Sequence, residues 1–154
     1  MNGEDRIRHD IAHFGWHSVS VFPENEGQDR FTYTIGFSES YQAPEVAIFG
    51  LAGERAHQLL GVCAALLDEG ESLEVEVPDD RLLQGGYKVM FKEMKKEAFS
   101  EYLGTAIRYF GHSDFRCLVM FFPDSKGRFP WEKGYDYIRA DEGLKVVENL
   151  QGRC

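Results

Sequence analysis

The segment 116–122 (RCLVMFF) limits the possible folds most strongly, because it is apolar at every position after Arg116. A strand without polar positions is typical of the inside of a sheet. Other runs alternate apolar with polar residues, or are rich in β-branched and aromatic residues, as half-buried or buried strands are. These runs predict strands at residues 16–22, 31–37, 45–51, 73–77 and 87–94.

Three segments have the apolar spacing of an amphipathic helix. They are residues 7–14, ended by Gly15, residues 53–68, followed by Gly70, and residues 96–111, which end in Gly111. The order of strands and helices predicts an α+β fold, with an antiparallel or mixed sheet of about 5–6 strands and packed helices. We expect residues 1–138 to form this single domain and residues 139–154 to form a C-terminal tail that could contain a short helix.

Charge and cysteine content limit the classes of partner. Because 26 acidic residues outnumber 17 basic ones, giving a formal net charge of −9, binding to a nucleic-acid polymer is disfavoured. The polar start (MNGEDRIRHD) argues against a signal peptide, and no apolar stretch is long enough to cross a membrane. The scattered cysteines Cys63, Cys117 and Cys154 fit reduced thiols. We therefore expect a cytoplasmic protein with no membrane partner, and its oligomeric state stays open.

Residues that suggest catalysis or metal binding have simpler interpretations. His9, His13 and His17 are spaced by four, but a glycine ends the helix before His17, and the first two face solvent. Cys63 and Cys117 occupy apolar positions, where a thiol behaves as a small hydrophobic group. The sequence contains no phosphate-binding glycine loop, nucleophile elbow or zinc-protease motif. We expect no metal ion and no cofactor.

Four segments together carry a resemblance to a known family: FGWHSVSV, FTYTIGF, APEVAIFGL and FFPDSKGRFPWEKGYD. The chain resembles the bacterial domain-of-unknown-function family 4262. Members of that family carry a Gly-Trp near the start, a Tyr-Thr-x-Gly segment, a Pro-Glu before a strand and a Pro-Asp…Arg-Phe-Pro-Trp loop. The resemblance covers about residues 5–137 and implies a shared fold and a functional surface. The matching positions are Gly15, Trp16, Tyr33, Thr34, Gly36, Pro44, Glu45, Gly50, Asp124, Gly127, Arg128, Pro130 and Trp131.

The segment 127–136 (GRFPWEKGYD) concentrates groups that could bind a ligand. Pro130 holds Phe129 in an extended conformation, so Arg128 and Phe129 project to opposite sides. In a first interpretation, the loop is anchored by a tryptophan and by an internal pair between Arg128 and a carboxylate. In a second, the loop is a lid, placing Arg128, Trp131, Lys133 and Tyr135 beside Trp16, Tyr33 and Thr34. Arg128 is free to meet Glu45, Asp124 or an anionic ligand.

Aromatic rings with one or two cations suit a planar anionic molecule. We predict a binding or interaction domain, in preference to an enzyme, for a small anionic, nucleotide-like ligand or a protein segment. One alternative is a hydrolase or transferase with Glu45 or Asp124 as acid/base and Arg128 holding negative charge. Another is an immunity-like or inhibitor protein that acts only through protein contacts. The candidate ligand-binding residues are Trp16, Tyr33, Thr34, Glu45, Asp124, Arg128, Trp131 and Tyr135.

Overall fold

The computed structural model describes residues 2–23 and 29–147, which form a five-stranded mixed sheet with helices packed around it. Strands β1 (His17–Val21), β2 (Phe31–Ile35) and β3 (Glu45–Phe49) form an antiparallel meander. Strand β5 (Cys117–Phe121) lies parallel to β3, and β4 (Met90–Glu93) lies antiparallel to β5 at the edge. The order across the sheet is β1-β2-β3-β5-β4. The predicted single-domain α+β fold is confirmed, with a mixed sheet.

Helices cover both faces of the sheet, and alternate residues of each inner strand point to different cores. Val46 and Leu118 join the core beneath α3 (Gly53–Asp68). Ala47 and Val119 join the core beneath α4 (Phe99–Tyr102) and α5 (Gly104–Phe110). Every residue of β3 and β5 is buried as a result, which explains why segment 116–122 carries no alternation. The helices are α1 Gly3–Phe14, α2 Phe37–Tyr41, α3 Gly53–Asp68, α4 Phe99–Tyr102, α5 Gly104–Phe110 and α6 Asp141–Lys145.

Three local predictions differ from the structure. Residues 73–77 form no strand, because only Val75 pairs with Phe91 before Glu76 adopts a positive φ of 65°. The helix predicted at 96–111 is interrupted at Leu103, whose φ of −115° and ψ of 33° end α4 before α5 begins. Residues 38–44, for which the sequence predicts no helix between the strands at 31–37 and 45–51, contain most of α2.

The C-terminal segment packs against the sheet. Val146 and Val147 are buried, and Val147 pairs with Met94 just after β4. Residues 148–154 lie outside the described residues. They include Cys154, one of the three cysteines expected to be reduced, and the end of the predicted C-terminal tail. Within the described residues, each helix is too short or too polar to traverse a lipid bilayer.

Candidate functional site

The loop that follows β5 is held by the carboxylate of Asp124. One oxygen of Asp124 accepts the backbone N–H groups of Lys126 and Arg128, both at 2.9 Å. The other accepts the Arg128 Nε–H at 2.8 Å and the Asp136 N–H at 3.0 Å. Burial alone would raise the pKa of Asp124, but hydrogen bonds from Arg128, Asp136 and Lys126 lower it to about 2. The ionised carboxylate is therefore occupied by the loop itself.

Trp131 packs on the sheet face that α4 and α5 cover. Its ring stacks on Phe129, with centroids 5.0 Å apart, and meets Phe121 of β5 edge-on at 5.3 Å. The Lys92 ammonium lies 4.3 Å from the centre of the Trp131 ring and donates to Glu76 Oε1 at 2.9 Å. Lys92 is fully buried, so the ring covers a charge that is shielded from water. The loop is anchored by its own residues, as the first sequence interpretation predicts.

Trp16 packs on the opposite face of the sheet, against α3. Its ring stacks on His57, with centroids 5.1 Å apart, and lies 5.8 Å from the ring of Phe37. Trp16 precedes β1 at one edge of the sheet, whereas Trp131 contacts β5 near the other edge. Because the sheet separates the two rings, the predicted lid over Trp16 does not form among the described residues.

The two tyrosines among the candidates are also far apart in the fold. Tyr33 on β2 is buried against α5, where its hydroxyl hydrogen-bonds with Thr105, and burial raises its pKa. Tyr135 lies beside the loop, and its hydroxyl donates to the Phe122 carbonyl at 3.2 Å. Burial and then the charge of Asp124 raise the pKa of Tyr135. Both hydroxyls therefore have partners within the protein.

Glu45, the first residue of β3, caps the start of α2. Its carboxylate accepts the hydroxyl groups of Thr34 at 2.7 Å and Ser38 at 2.9 Å. It also accepts the backbone N–H groups of Gly36, Phe37 and Ser38 at 3.3, 3.0 and 2.9 Å. Burial raises the pKa of Glu45, and the hydrogen bonds from Ser38, Thr34 and Phe37 oppose that rise. Thr34 and Glu45 thus serve one structural purpose, which is to fix the turn into α2.

Glu45 and Asp124 lie at opposite ends of the parallel strand pair. Glu45 is in register with Cys117 at the start of β5, and Asp124 follows the end of that strand. The strand between them spans about 13 Å at roughly 3.3 Å per residue. Arg128 pairs with Asp124 and is therefore out of reach of Glu45. Of the two acids named in the enzymatic alternative, Asp124 therefore lies beside Arg128 and Glu45 does not.

Four histidines outside the candidate set also have partners within the protein. His9 and His13 stack on the exposed side of α1, with centroids 4.1 Å apart. His57 Nδ1 lies 2.9 Å from Ser18 Oγ. His112 Nδ1 accepts the Asp114 N–H at 3.0 Å. Over residues 2–23 and 29–147, no group of three or more histidine, cysteine or acidic side chains is placed to hold a metal ion.

A groove of about 570 Å³ opens at the carboxyl ends of the parallel strands β3 and β5. Its floor is apolar, because Leu59 of α3, Leu82, and Phe122 and Pro123 after β5 line it and are buried. The turn between β3 and α3 contributes Leu51. We name this feature the carboxyl-end groove.

The walls of the carboxyl-end groove carry exposed side chains of two kinds. Apolar surface is exposed at Val62 (36%), Tyr87 (42%) and Tyr137 (57%). The polar groups include Arg55 and Gln58. Arg55, Gln58 and Val62 share one face of α3, because they stand three and four residues apart on that helix. Apolar and polar side chains that can contact a ligand therefore line the same carboxyl-end groove.

The family of the chain follows from its sequence. A family model described as "Domain of unknown function (DUF4262)" matches residues 10–136, most of the chain. The chain belongs to the DUF4262 family. No curated protein and no solved structure gives a significant match.

Within this DUF4262 domain, the motifs that carry the resemblance meet at backbone contacts. A Cβ atom on Gly36 would lie 2.8 Å from the Gly15 carbonyl oxygen and 2.9 Å from Trp16 Cα. A Cβ atom on Gly50 would overlap the Arg139 carbonyl oxygen. These glycines permit close approach of neighbouring chain segments, since any larger residue would displace backbone. The Gly-Trp and Tyr-Thr-x-Gly motifs therefore fix the fold around the start of α2.

Of the eight candidate residues, Asp124 alone lines the carboxyl-end groove, and its carboxylate is occupied. Sequence reasoning missed Arg55, Val62, Tyr87 and Tyr137, because the groove combines segments far apart in the chain. One feature of the sequence does indicate the position of the groove. The predicted strand at 45–51 runs directly into the helix at 53–68, and such strand-to-helix turns in α/β sheets lie where ligands bind.

Proposed function

We propose that this DUF4262 domain binds a small organic anion with an apolar body in the carboxyl-end groove. The observation that carries the proposal is an apolar floor, open to solvent, beside the exposed Arg55. The class of function is the binding domain predicted from the sequence, whereas the proposed site differs from the predicted one.

The size and composition of the groove support a small-molecule ligand. Its volume of about 570 Å³ lies within the range of roughly 300–1,000 Å³ that is usual for such sites. Usual sites combine mostly apolar walls with a few polar groups that orient the ligand. Leu59 and Phe122 supply apolar floor, and Tyr87 and Tyr137 supply rings that a planar ligand can contact.

Arg55 supports an anionic group on the ligand. The protein carries a formal net charge of −9, and arginines such as Arg81, Arg116 and Arg128 pair with acidic side chains. Arg55 pairs with no acidic side chain within the described part of the chain, although it is exposed on the groove wall. A carboxylate or phosphate would give it a charge-assisted, bidentate hydrogen bond. Asp136, which also lines the groove, offers an acceptor for a ligand hydroxyl or amino group.

We further propose that the domain acts in the bacterial cytoplasm. Cys63 and Cys117 are buried free thiols. Burial raises the pKa of Cys63 to about 12, so this thiol is unreactive at neutral pH. Unpaired buried cysteines support a reducing compartment.

A panel of nucleotides and aromatic carboxylates tests the proposed site. A compound present at about one hundred times its dissociation constant stabilises the fold by about 2.7 kcal/mol. That is a rise of about 5–11 °C in the melting temperature at this chain length. Arg55→Gln should abolish the rise for anionic compounds and leave the fold intact. The matched control Arg116→Gln removes an equal charge from a surface ion pair with Glu93 and should leave the rise unchanged.

A second substitution pair tests the apolar wall. Val62→Gln places a polar side chain in the groove, whereas Ala65→Gln makes a polar substitution at an exposed position of the same helix outside the lining. The first should weaken binding and the second should not. Stabilisation that survives both Arg55→Gln and Val62→Gln, or a panel that yields no stabilising compound, contradicts the proposed ligand.

The exposed apolar area of Val62, Tyr87 and Tyr137 favours one second candidate, a protein segment bound in the same groove. In that case a peptide library yields binders that Val62→Gln rejects and Ala65→Gln keeps. The small-molecule panel would then produce no stabilisation.

A further inference from the structure

A second cavity lies on the other side of the sheet, between α1, β1 and α5. Its volume is about 380 Å³, and its lining includes His17 of β1 together with Thr105, Arg108 and Tyr109 of α5. Apolar side chains of Ile7 and Val19 complete part of the wall. We name it the α1–α5 cavity. It shares no lining residue with the carboxyl-end groove.

His17 is held in one orientation by Asp10 of α1. Nδ1 of His17 lies 2.7 Å from Asp10 Oδ2, and the imidazole is only 14% exposed. Burial raises the pKa of Asp10, but hydrogen bonds with His17 and His9 outweigh this effect and lower it. Asp10 is therefore a carboxylate, and the Nδ1–H of His17 donates to it. Nε2 of His17 makes no hydrogen bond within residues 2–23 and 29–147, so this atom remains for another partner.

Arg108 supplies a second cation at the same cavity. Its single hydrogen bond among the described residues is a long one, 3.3 Å from Nη2 to Thr105 Oγ1. No acidic side chain in the described part of the chain pairs with Arg108, although the protein is strongly acidic. Tyr109 adds a hydroxyl group, and burial raises its pKa, so the hydroxyl stays protonated and can donate.

We propose that the α1–α5 cavity binds a small oxyanion, such as a phosphate or sulfate group, between the Arg108 guanidinium and Nε2–H of protonated His17. Guanidinium groups bind tetrahedral oxyanions through paired N–H donors. Protonated His17 adds a donor and a positive charge, while Asp10 holds the orientation of the ring.

The proposed site gains affinity as pH falls. Histidine side chains take up a proton between about pH 8 and pH 5, whereas arginine stays charged throughout. Glu4 also lines the cavity, but its carboxylate lies 2.6 Å from Arg8, which offsets its charge. Other titratable groups near His17 are Asp10 and His9, with Tyr109 on the facing helix. The wall of the cavity therefore combines a permanent positive charge, on Arg108, with an imidazole, on His17.

Sulfate titration followed by NMR of the histidine Cε1–H signals tests the site. Sulfate is the probe because it stays a dianion from pH 6 to pH 8, and sodium chloride holds the ionic strength constant. We expect a saturable shift of the His17 signal at pH 6 and affinity at least fivefold weaker at pH 8. Arg108→Gln should weaken sulfate binding about tenfold, the equivalent of about 1.4 kcal/mol. The matched control Arg116→Gln should bind as the wild type does.

His17→Gln separates the charge from the hydrogen bond. Glutamine keeps a neutral donor, so we expect weak sulfate binding that no longer changes between pH 6 and pH 8. Because this variant lacks the His17 signal, its sulfate titration follows the backbone amide signals of α5. Amide spectra of each variant confirm that the fold is intact. The proposal is overturned if the wild type shows no saturable shift at pH 6, if Arg108→Gln and Arg116→Gln bind equally, or if His17→Gln keeps the pH dependence.

Discussion

Replacing Glu45 by glutamine tests whether the Tyr-Thr-x-Gly and Pro-Glu motifs serve the fold. One oxygen of Glu45 accepts two donors, from Thr34 and Phe37. The other accepts three, from Gly36 and from the backbone and hydroxyl of Ser38. A glutamine side chain keeps only one of the two oxygens as an acceptor, so its NH₂ group must face donors on one side.

The orientation of the introduced amide that leaves fewer groups unsatisfied determines the expected loss in the free energy of unfolding. With its NH₂ group towards Thr34 and Phe37, the Thr34 hydroxyl can rotate to accept, but the Phe37 N–H is left without a partner. A buried unsatisfied donor costs about 1–3 kcal/mol, and loss of hydrogen bonds to a charged acceptor adds to this. We therefore expect Glu45→Gln to lower the free energy of unfolding by about 2–4 kcal/mol.

Urea denaturation at pH 7, with circular dichroism as the signal, measures this cost. The matched control is Glu39→Gln, because Glu39 lies on the same helix α2 and is exposed. The control should change the free energy of unfolding by less than about 0.5 kcal/mol. Equal stability of the two variants would refute the capping role of Glu45, and with it the structural explanation of these motifs.

Two further predictions concern the loop after β5. Trp131→Ala should lower the free energy of unfolding by about 2–4 kcal/mol in urea denaturation, because it removes the ring over the buried Lys92. A loss below about 0.5 kcal/mol would contradict the anchoring role of Trp131. Asp124→Asn should remove an acid-sensitive contribution to stability. The folded pKa of about 2 lies below the ordinary value near 3.9. The contribution of Asp124 is therefore present above about pH 4 and disappears as pH falls towards 2, relative to the variant. Parallel acid-unfolding curves for the wild type and Asp124→Asn would contradict the prediction.

Local periodicity was sufficient to predict most elements of the fold. The spacing of apolar residues in 53–68 predicts the bounds of α3, Gly53–Asp68, because one face of that helix is buried against the sheet. The apolar segment 116–122 predicts the inner strand β5, because both faces of that strand are buried. Residues 73–77 alternate equally well, yet their single bridge at Val75 shows that alternation cannot supply a neighbouring strand.

Strand order and strand direction determine which residues meet at the candidate site, and local sequence patterns do not specify either of them. The prediction that Arg128 is paired inside the loop needed only local geometry, since its partner Asp124 lies four residues away. The predicted lid requires Trp16 and Trp131 on the same face of the sheet, but they lie on opposite faces. The parallel pairing of β3 with β5 placed Glu45 and Asp124 at opposite ends.

Mapping the binding site of the most strongly stabilising compound by amide chemical shifts tests the central claim most directly. The account predicts that the largest changes fall on the carboxyl-end groove, at Leu51, Gln58, Val62, Ser125 and Tyr137. Shift changes concentrated instead around Trp16 and His57, beside β1, would contradict binding in the carboxyl-end groove.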